Sequence, residues 1–261
     1  MAGFEGPPPI RKTEALLQKL VFELRYAYGN VFLDRCGSIL DRILRNYPEW
    51  TFRDDQVSPQ GAPLVSMENA CRFTFGTKSC DFAIERSSGD PPISPEQLAK
   101  FTSQVDELTS VVIDQLGLSE YVRIGFRAWF VFGCKNIDAA EDWLRGLGVV
   151  QVDPRLLEAF GVDRTTAVST AVVMEGVDRR FRIGLNTVEI SQKPKGIAGI
   201  QPKQLHKKQR ELRKRLLKQN PETGVMIDID AYQEDPEVVQ PREFVESSYS
   251  AYIKALRGLN K

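Results

Sequence analysis

Between Tyr121 and Gly133 the chain alternates apolar and polar residues, with Val122, Ile124, Phe126, Ala128, Phe130 and Phe132 on one side and Arg123, Arg127 and Trp129 on the other. Period two over so long a run is the signature of a strand with one face on a core and the other turned away from it. The segment just before it has the other period. Leu98, Phe101, Val105, Leu108, Val112 and Leu116 recur at steps of three and four, predicting a helix from Pro95 to Leu116 with one buried stripe. Ser94 and Gln97 form a capping box, Pro95 suits the first helical position, and Gly117 supplies a stop. A long amphipathic helix feeding a long amphipathic strand points to an α+β chain with a mainly antiparallel sheet and long helices on one face.

Other segments fill in that outline. Helices are predicted over Val31 to Arg45, Asp138 to Leu147, and from about Arg242 to the end. Leu20 to Tyr28 is open between helix and strand, with the strand favoured since Tyr26 and Tyr28 are β-prone and Gly29 follows. Leu64 to Phe75 with Ser79 to Glu85 reads as one hairpin, and Thr165 to Met174 with Arg180 to Ile190 as another. Val225 to Asp230 is a further strand. Laid in order, strand, helix, gap, hairpin and helix occur twice, with one added strand in the second round. The expected organisation is a tail over 1–12, one α+β half over 13–118, and a second over 119–261 carrying a basic insertion at about 192–222. A duplicated, saddle-like sheet similar in outline to the TATA-binding-protein fold accounts for that order; a helix-grip sheet wrapped around the last helix is the alternative.

Four short stretches carry a resemblance: Pro8-Pro9-Ile10, Asn46-Tyr47-Pro48, Arg123-Ile124-Gly125-Phe126-Arg127 and Ile227-Asp228-Ile229-Asp230. In order and spacing they resemble a sporadically distributed, uncharacterised bacterial family of about this length, known by an RIGxR strand motif and a C-terminal IDID motif. The family pattern commonly continues the strand with tyrosine and asparagine, where this chain has Ala128-Trp129-Phe130. The resemblance implies a bacterial origin and brings no activity with it.

Charge is distributed unevenly. Lys193 to Lys218 holds ten Lys or Arg and one acid, Glu211, in a chain of 35 basic and 35 acidic residues. The remaining 25 bases and 34 acids give the rest of the chain a charge of about −9, so the excursion points to an acidic partner. Lys203, Lys207, Lys208, Arg210, Arg213, Lys214, Arg215 and Lys218 are the candidate partner-binding residues, facing nucleic acid or an acidic protein surface. The segment lacks aromatics that would stack on bases, which argues against base-specific reading. The competing readings are a solvated loop helix protruding between two strands, free or docked on the acidic body, and an anionic membrane surface as the partner.

Arg123, Arg127 and Trp129, with Arg180 and Arg182 on a neighbouring strand, are candidates for an anionic or planar ligand held by guanidinium forks and stacking, in a pocket between sheet and helices. The alternative is an ordinary polar sheet face, its arginines paired with Glu68, Glu85 or Glu175. Asp228 and Asp230 lie two apart, so both point the same way and form a magnesium candidate. No metal site is otherwise indicated, and no cofactor is expected. The single histidine, His206, leaves no material for a histidine triad or a His-rich zinc site. Phosphate-loop, G-x-S-x-G and G-x-G-x-x-G motifs are absent. Cys36, Cys71, Cys80 and Cys134 lack zinc-ligand spacing; a Cys71–Cys80 bridge across adjacent strands and reduced core thiols are both open, the latter favoured. Met1 to Pro9 lacks the apolar run of a secretory signal, and no stretch has the length of a membrane span. The expectation is a cytoplasmic binding protein of unspecified oligomeric state, with carboxylate-dependent catalysis as an alternative.

Overall fold

The computed structural model describes residues 15–52, 57–58, 60–86, 90–134, 136–148, 154–161, 169–189 and 223–259. Strand β1 (Leu16–Tyr26) is followed by α1 (Phe32–Asn46), then β2 (Thr51–Phe52), β3 (Gly61–Ser66), β4 (Cys71–Gly76), β5 (Ser79–Glu85) and α2 (Pro95–Leu116). The chain continues through β6 (Tyr121–Cys134), α3 (Ile137–Gly146), α4 (Pro154–Phe160), β7 (Ser169–Glu175), β8 (Arg180–Glu189), β9 (Thr223–Glu234) and α5 (Pro241–Leu259). The architecture is α+β, with one nine-stranded antiparallel sheet in the order β2-β3-β4-β5-β1-β6-β9-β8-β7.

That order is nearly symmetric about the line between β1 and β6. Each central strand opens its part of the chain, and the last strand before the next long helix pairs beside it: β5 on β1, β9 on β6. Outside these lie β4 and β8, then β3 and β7, with β2 the one unmatched strand. On both sides the strands succeed one another outward from the centre in the reverse of chain order.

Alternation divides the sheet into two unlike faces. Phe22 on β1 pairs with Phe82 on β5 and Phe126 on β6, and Phe126 pairs with Ala231 on β9; all four are buried. Leu20, Ile84, Ala128 and Ile229 form the next row. Against this face pack α2 and α5, each with an apolar stripe, and a run of rings crosses it: Phe32 to Phe75, Phe75 to Phe73, Phe73 to Phe82, Phe82 to Phe101 and Phe101 to Phe126, centroids 4.9 to 6.1 Å apart. The helix bounds follow from local chemistry. Ser94 accepts the Gln97 backbone N–H while its own N–H donates to the Gln97 side chain, and Gly117, at φ 61°, closes α2 in the left-handed region.

Tyr252 fastens α5 to the middle of the sheet. Its ring lies parallel to that of Phe126 at 5.5 Å, and its hydroxyl donates to the Phe126 carbonyl while accepting the Ala231 N–H at 2.8 Å. Burial pushes this phenol well above its ordinary pKa, so it remains a donor throughout the usable range.

Several boundaries differ from the sequence reading. The expected single strand from Leu64 to Phe75 is two, β3 and β4, turned at Met67–Ala70, where Asn69 donates to the Ser66 hydroxyl at 2.9 Å and Ala70 takes φ 50°. The expected hairpin is therefore part of a three-stranded meander. Strand β1 begins earlier than Leu20, and β9 runs on to Glu234. Val122 is exposed, near the start of β6, where the register with β1 shifts between Arg25 and Tyr26. Cys71 and Cys80 do lie on adjacent strands, but Cys71 pairs with Ile84 and Cys80 with Phe75, four register steps away. At about 3.3 Å per residue that separation is far beyond disulfide reach, and all four cysteines are buried free thiols. Among the described residues no helix is long and apolar enough to cross a membrane.

Replacing Tyr252 with Phe keeps the ring stack and removes the hydroxyl that serves two buried backbone groups. Urea denaturation should show a loss of about 1–3 kcal/mol; unchanged stability would mean that the β6–β9 ladder closes without it.

Candidate functional site

The face opposite the helices gathers the polar residues of the central strands. Across it run three rows set by the ladder: Arg182, Asp230, Arg127 and Val21; Gly184, Asp228, Trp129 and Lys19; Arg180, Tyr232, Gly125 and Glu23. Arg123, Arg127, Trp129, Arg180 and Arg182 therefore share one face, with Asp228 and Asp230 among them.

The arginines are engaged. Arg127 forks onto Asp228, Nε to Oδ1 at 2.7 Å and Nη2 to Oδ2 at 2.5 Å, and Arg182 approaches the same carboxylate at 3.6 Å. Arg123 lies along β6 over Gly125, where no side chain blocks it, and reaches Asp230 at 3.0 Å and Glu23 at 3.6 Å. Its guanidinium also covers the Tyr232 ring at 4.6 Å. Arg180 bridges Glu234 at 2.8 Å and Glu175 at 3.4 Å. Lys19 pairs with Glu85 at 2.9 Å and sits 4.2 Å above the ring of Trp129.

Of the partners expected from sequence, Glu175 is used by Arg180, Glu85 by Lys19, and Glu68 lies in the β3–β4 turn. The main acceptors are Asp228 and Asp230. Asp228 is buried and takes two arginines, so its oxygens point at guanidinium donors. Burial pushes the Asp230 carboxyl up, while Arg123 and Arg127 pull it back. The two aspartates do face the same way, but as anchors of an ion-pair lattice. Among the described residues no cluster of three or more His, Cys, Asp or Glu could hold a metal ion.

A separate cavity lies on the helix side. It has a volume of about 890 Å³ and is walled by Leu16, Leu17, Pro92, Ile93, Leu98, Phe130, Phe132, Tyr249, Ile253 and Leu256, with Ser94 and Arg257 also lining it. This corrects the expectation of a sheet–helix pocket near Arg123, Arg127 and Trp129. Phe130 and Phe132 alternate with those residues along β6, so the cavity and the arginines occupy opposite faces. Arg257 makes no ion pair with another described residue.

Lys203, Lys207, Lys208, Arg210, Arg213, Lys214, Arg215 and Lys218 lie outside the described residues. Their attachment is described: β8 ends at Glu189 and β9 begins at Thr223, and these two residues are register partners. The basic segment thus connects two paired strand ends in the sequence, and Thr223 is also the register partner of Cys134 on β6. Gly224, next to that junction, has no room for a side chain, since a Cβ there would fall 2.2 Å from the Phe132 carbonyl.

Thiol chemistry finds no support in these surroundings. Burial pushes Cys71 up to about 11 and Cys80 up to about 12, and it also raises Cys36 and Cys134. No protein-family model matches the chain, and no curated protein resembles it in sequence.

The ion-pair lattice makes unequal demands on stability. Asp228→Ala leaves Arg127 and Arg182 without their shared acceptor and should cost about 1–3 kcal/mol in urea denaturation. Arg180→Ala removes only exposed pairs and should leave stability nearly unchanged. Equal effects would contradict the placement of Asp228 at the lattice centre.

Proposed function

We propose that the protein works by binding, engaging a polyanion through the basic segment Lys193–Lys218, with nucleic acid the class of polyanion that this charge pattern suits. The observation that carries the reading is the concentration of ten bases against one acid in a chain whose remainder holds 25 bases and 34 acids. The paired condition of the sheet face supports it from the other side. Arg123, Arg127, Arg180 and Arg182 are already opposed by carboxylates, so a phosphate arriving there would have to displace Asp228, Asp230 or Glu234. Within its own sequence the segment holds only Glu211 as a competing carboxylate. Phosphate contacts of this kind carry affinity without sequence readout, as the absence of aromatics between Lys193 and Lys218 also suggests. An acidic body of about −9 would repel nucleic acid from the rest of the surface and orient the complex towards the insertion.

A second reading rests on the cavity beneath α2 and α5. Its size falls in the range of small-ligand sites, its walls are apolar, and Arg257 offers a cation. The ligand class would be an apolar molecule bearing one anionic group, such as a fatty acid.

Fluorescence anisotropy with generic single- and double-stranded DNA and RNA distinguishes the two. The intact protein is compared with a version in which Lys193–Lys218 is replaced by a short Gly-Ser linker. Six phosphate contacts would weaken binding roughly 10³-fold between about 50 and 200 mM salt, and the linker version should not bind. Failure of the intact protein to bind at low salt would end the first reading. A melting temperature raised equally in both versions by a long-chain fatty acid, independent of salt, is the mark of the second; no shift would remove it.

A further inference from the structure

Among the described residues nothing lies beyond β7 in the sheet, and the strand itself carries none of the usual guards. Its sequence, Ser169-Thr170-Ala171-Val172-Val173-Met174-Glu175, contains no Lys, no Pro and no charge before Glu175, which is turned back onto Arg180. Val172, Val173 and Met174 are 41%, 58% and 42% exposed, and they alternate between the two faces. Soluble proteins usually guard such edges with lysine, proline, a bulge or a covering element, because the unpaired N–H and C=O groups are a template for another strand.

The backbone groups that face outward can be named. Gly176 N–H donates to Arg179 C=O at 2.8 Å, making this pair the hydrogen-bonded closure of the β7–β8 hairpin. Hydrogen-bonded and non-bonded pairs alternate in an antiparallel ladder. With Met174 opposite Phe181 and Val172 opposite Ile183, Thr170, Val172 and Met174 turn their backbone groups toward β8. Ser169, Ala171, Val173 and Glu175 turn theirs away.

We infer that the free edge of β7 is a self-association site, pairing antiparallel with β7 of a second copy to continue the sheet across a twofold axis. A second copy fits the edge in chemistry. Centred on Val172, the pairing sets Val172 against itself, Ala171 against Val173, Thr170 against Met174 and Ser169 against Glu175. No like charges then face each other, and the outward-facing groups of Ala171 and Val173 meet as a hydrogen-bonded pair. The opposite edge of the described sheet is the two-residue β2, too short to repeat the contact. One usable edge per chain gives a closed dimer and no filament.

Sedimentation velocity of the full chain across a concentration series tests the inference with two variants. Val173→Pro deletes an outward N–H while leaving the bonds to β8. Val172→Lys keeps every backbone group and sets like charges opposite each other at the axis. The intact protein should show a concentration-dependent dimer, and both variants should sediment as monomers with an unchanged circular dichroism spectrum. If the proline variant is misfolded, the lysine variant decides. An intact chain that stays monomeric at the highest soluble concentration would overturn the inference, as would a dimer that survives Val172→Lys.

Discussion

The antiparallel pairing of β1 with β6 is the constraint on which the rest of the structure depends. Leu20 opposite Ala128, Phe22 opposite Phe126 and Leu24 opposite Ile124 join the two parts of the chain at the centre of the sheet. Each of these residues is almost wholly buried. A slip of one residue would turn Arg123 and Arg127 into the core and Phe126 outward, so burial fixes the register strongly. Once that register holds, β5 and β9 add on either side with their own apolar rows in line. The long helices then have a single continuous face to cover. Tyr252 reinforces the same point from above, since its hydroxyl contacts Phe126 and Ala231, the row that begins at Phe22.

The same register decides where charge can act. Alternation that buries Phe126 and Ile229 necessarily lines up Arg127, Arg123, Asp228 and Asp230 on the other face. There the guanidiniums find carboxylates two or four positions along the neighbouring strand. A row of arginines that looks like an anion site in one dimension becomes a closed lattice in three. The basic insertion differs in kind. Its cations follow one another along the chain, with a single glutamate among them to neutralise. Division of labour between a neutralised sheet and a cationic excursion is the physical basis of the binding reading.

The elements that could be read from sequence were those governed by local chemistry. The limits of α2 follow from Ser94, Gln97 and Gly117, and the span of β6 follows from strict alternation. The β3–β4 turn was missed because Met67-Glu68-Asn69-Ala70 contains neither glycine nor proline, the usual signals of a reversal. Short elements such as β2 and α4 offer too few residues for any period to show. At the candidate site, the shared face of the five sheet residues followed from period two. Their acidic partners did not, because Arg127 and Asp228 are 101 residues apart and Arg123 and Asp230 are 107 apart. Only the register of β6 against β9 brings them together. The placement of the cavity away from Trp129 is equally a consequence of strand parity, which the pocket expectation did not apply.

Lysine-directed acetylation footprinting, read by mass spectrometry with and without a bound oligonucleotide, tests the central claim most directly. Polyanion binding through the insertion should suppress modification at Lys203, Lys207, Lys208, Lys214 and Lys218. Lys19, which sits over Trp129 on the sheet face, should react as before. Protection of Lys19 with undiminished reactivity in the insertion would place the interface on the sheet and contradict the account.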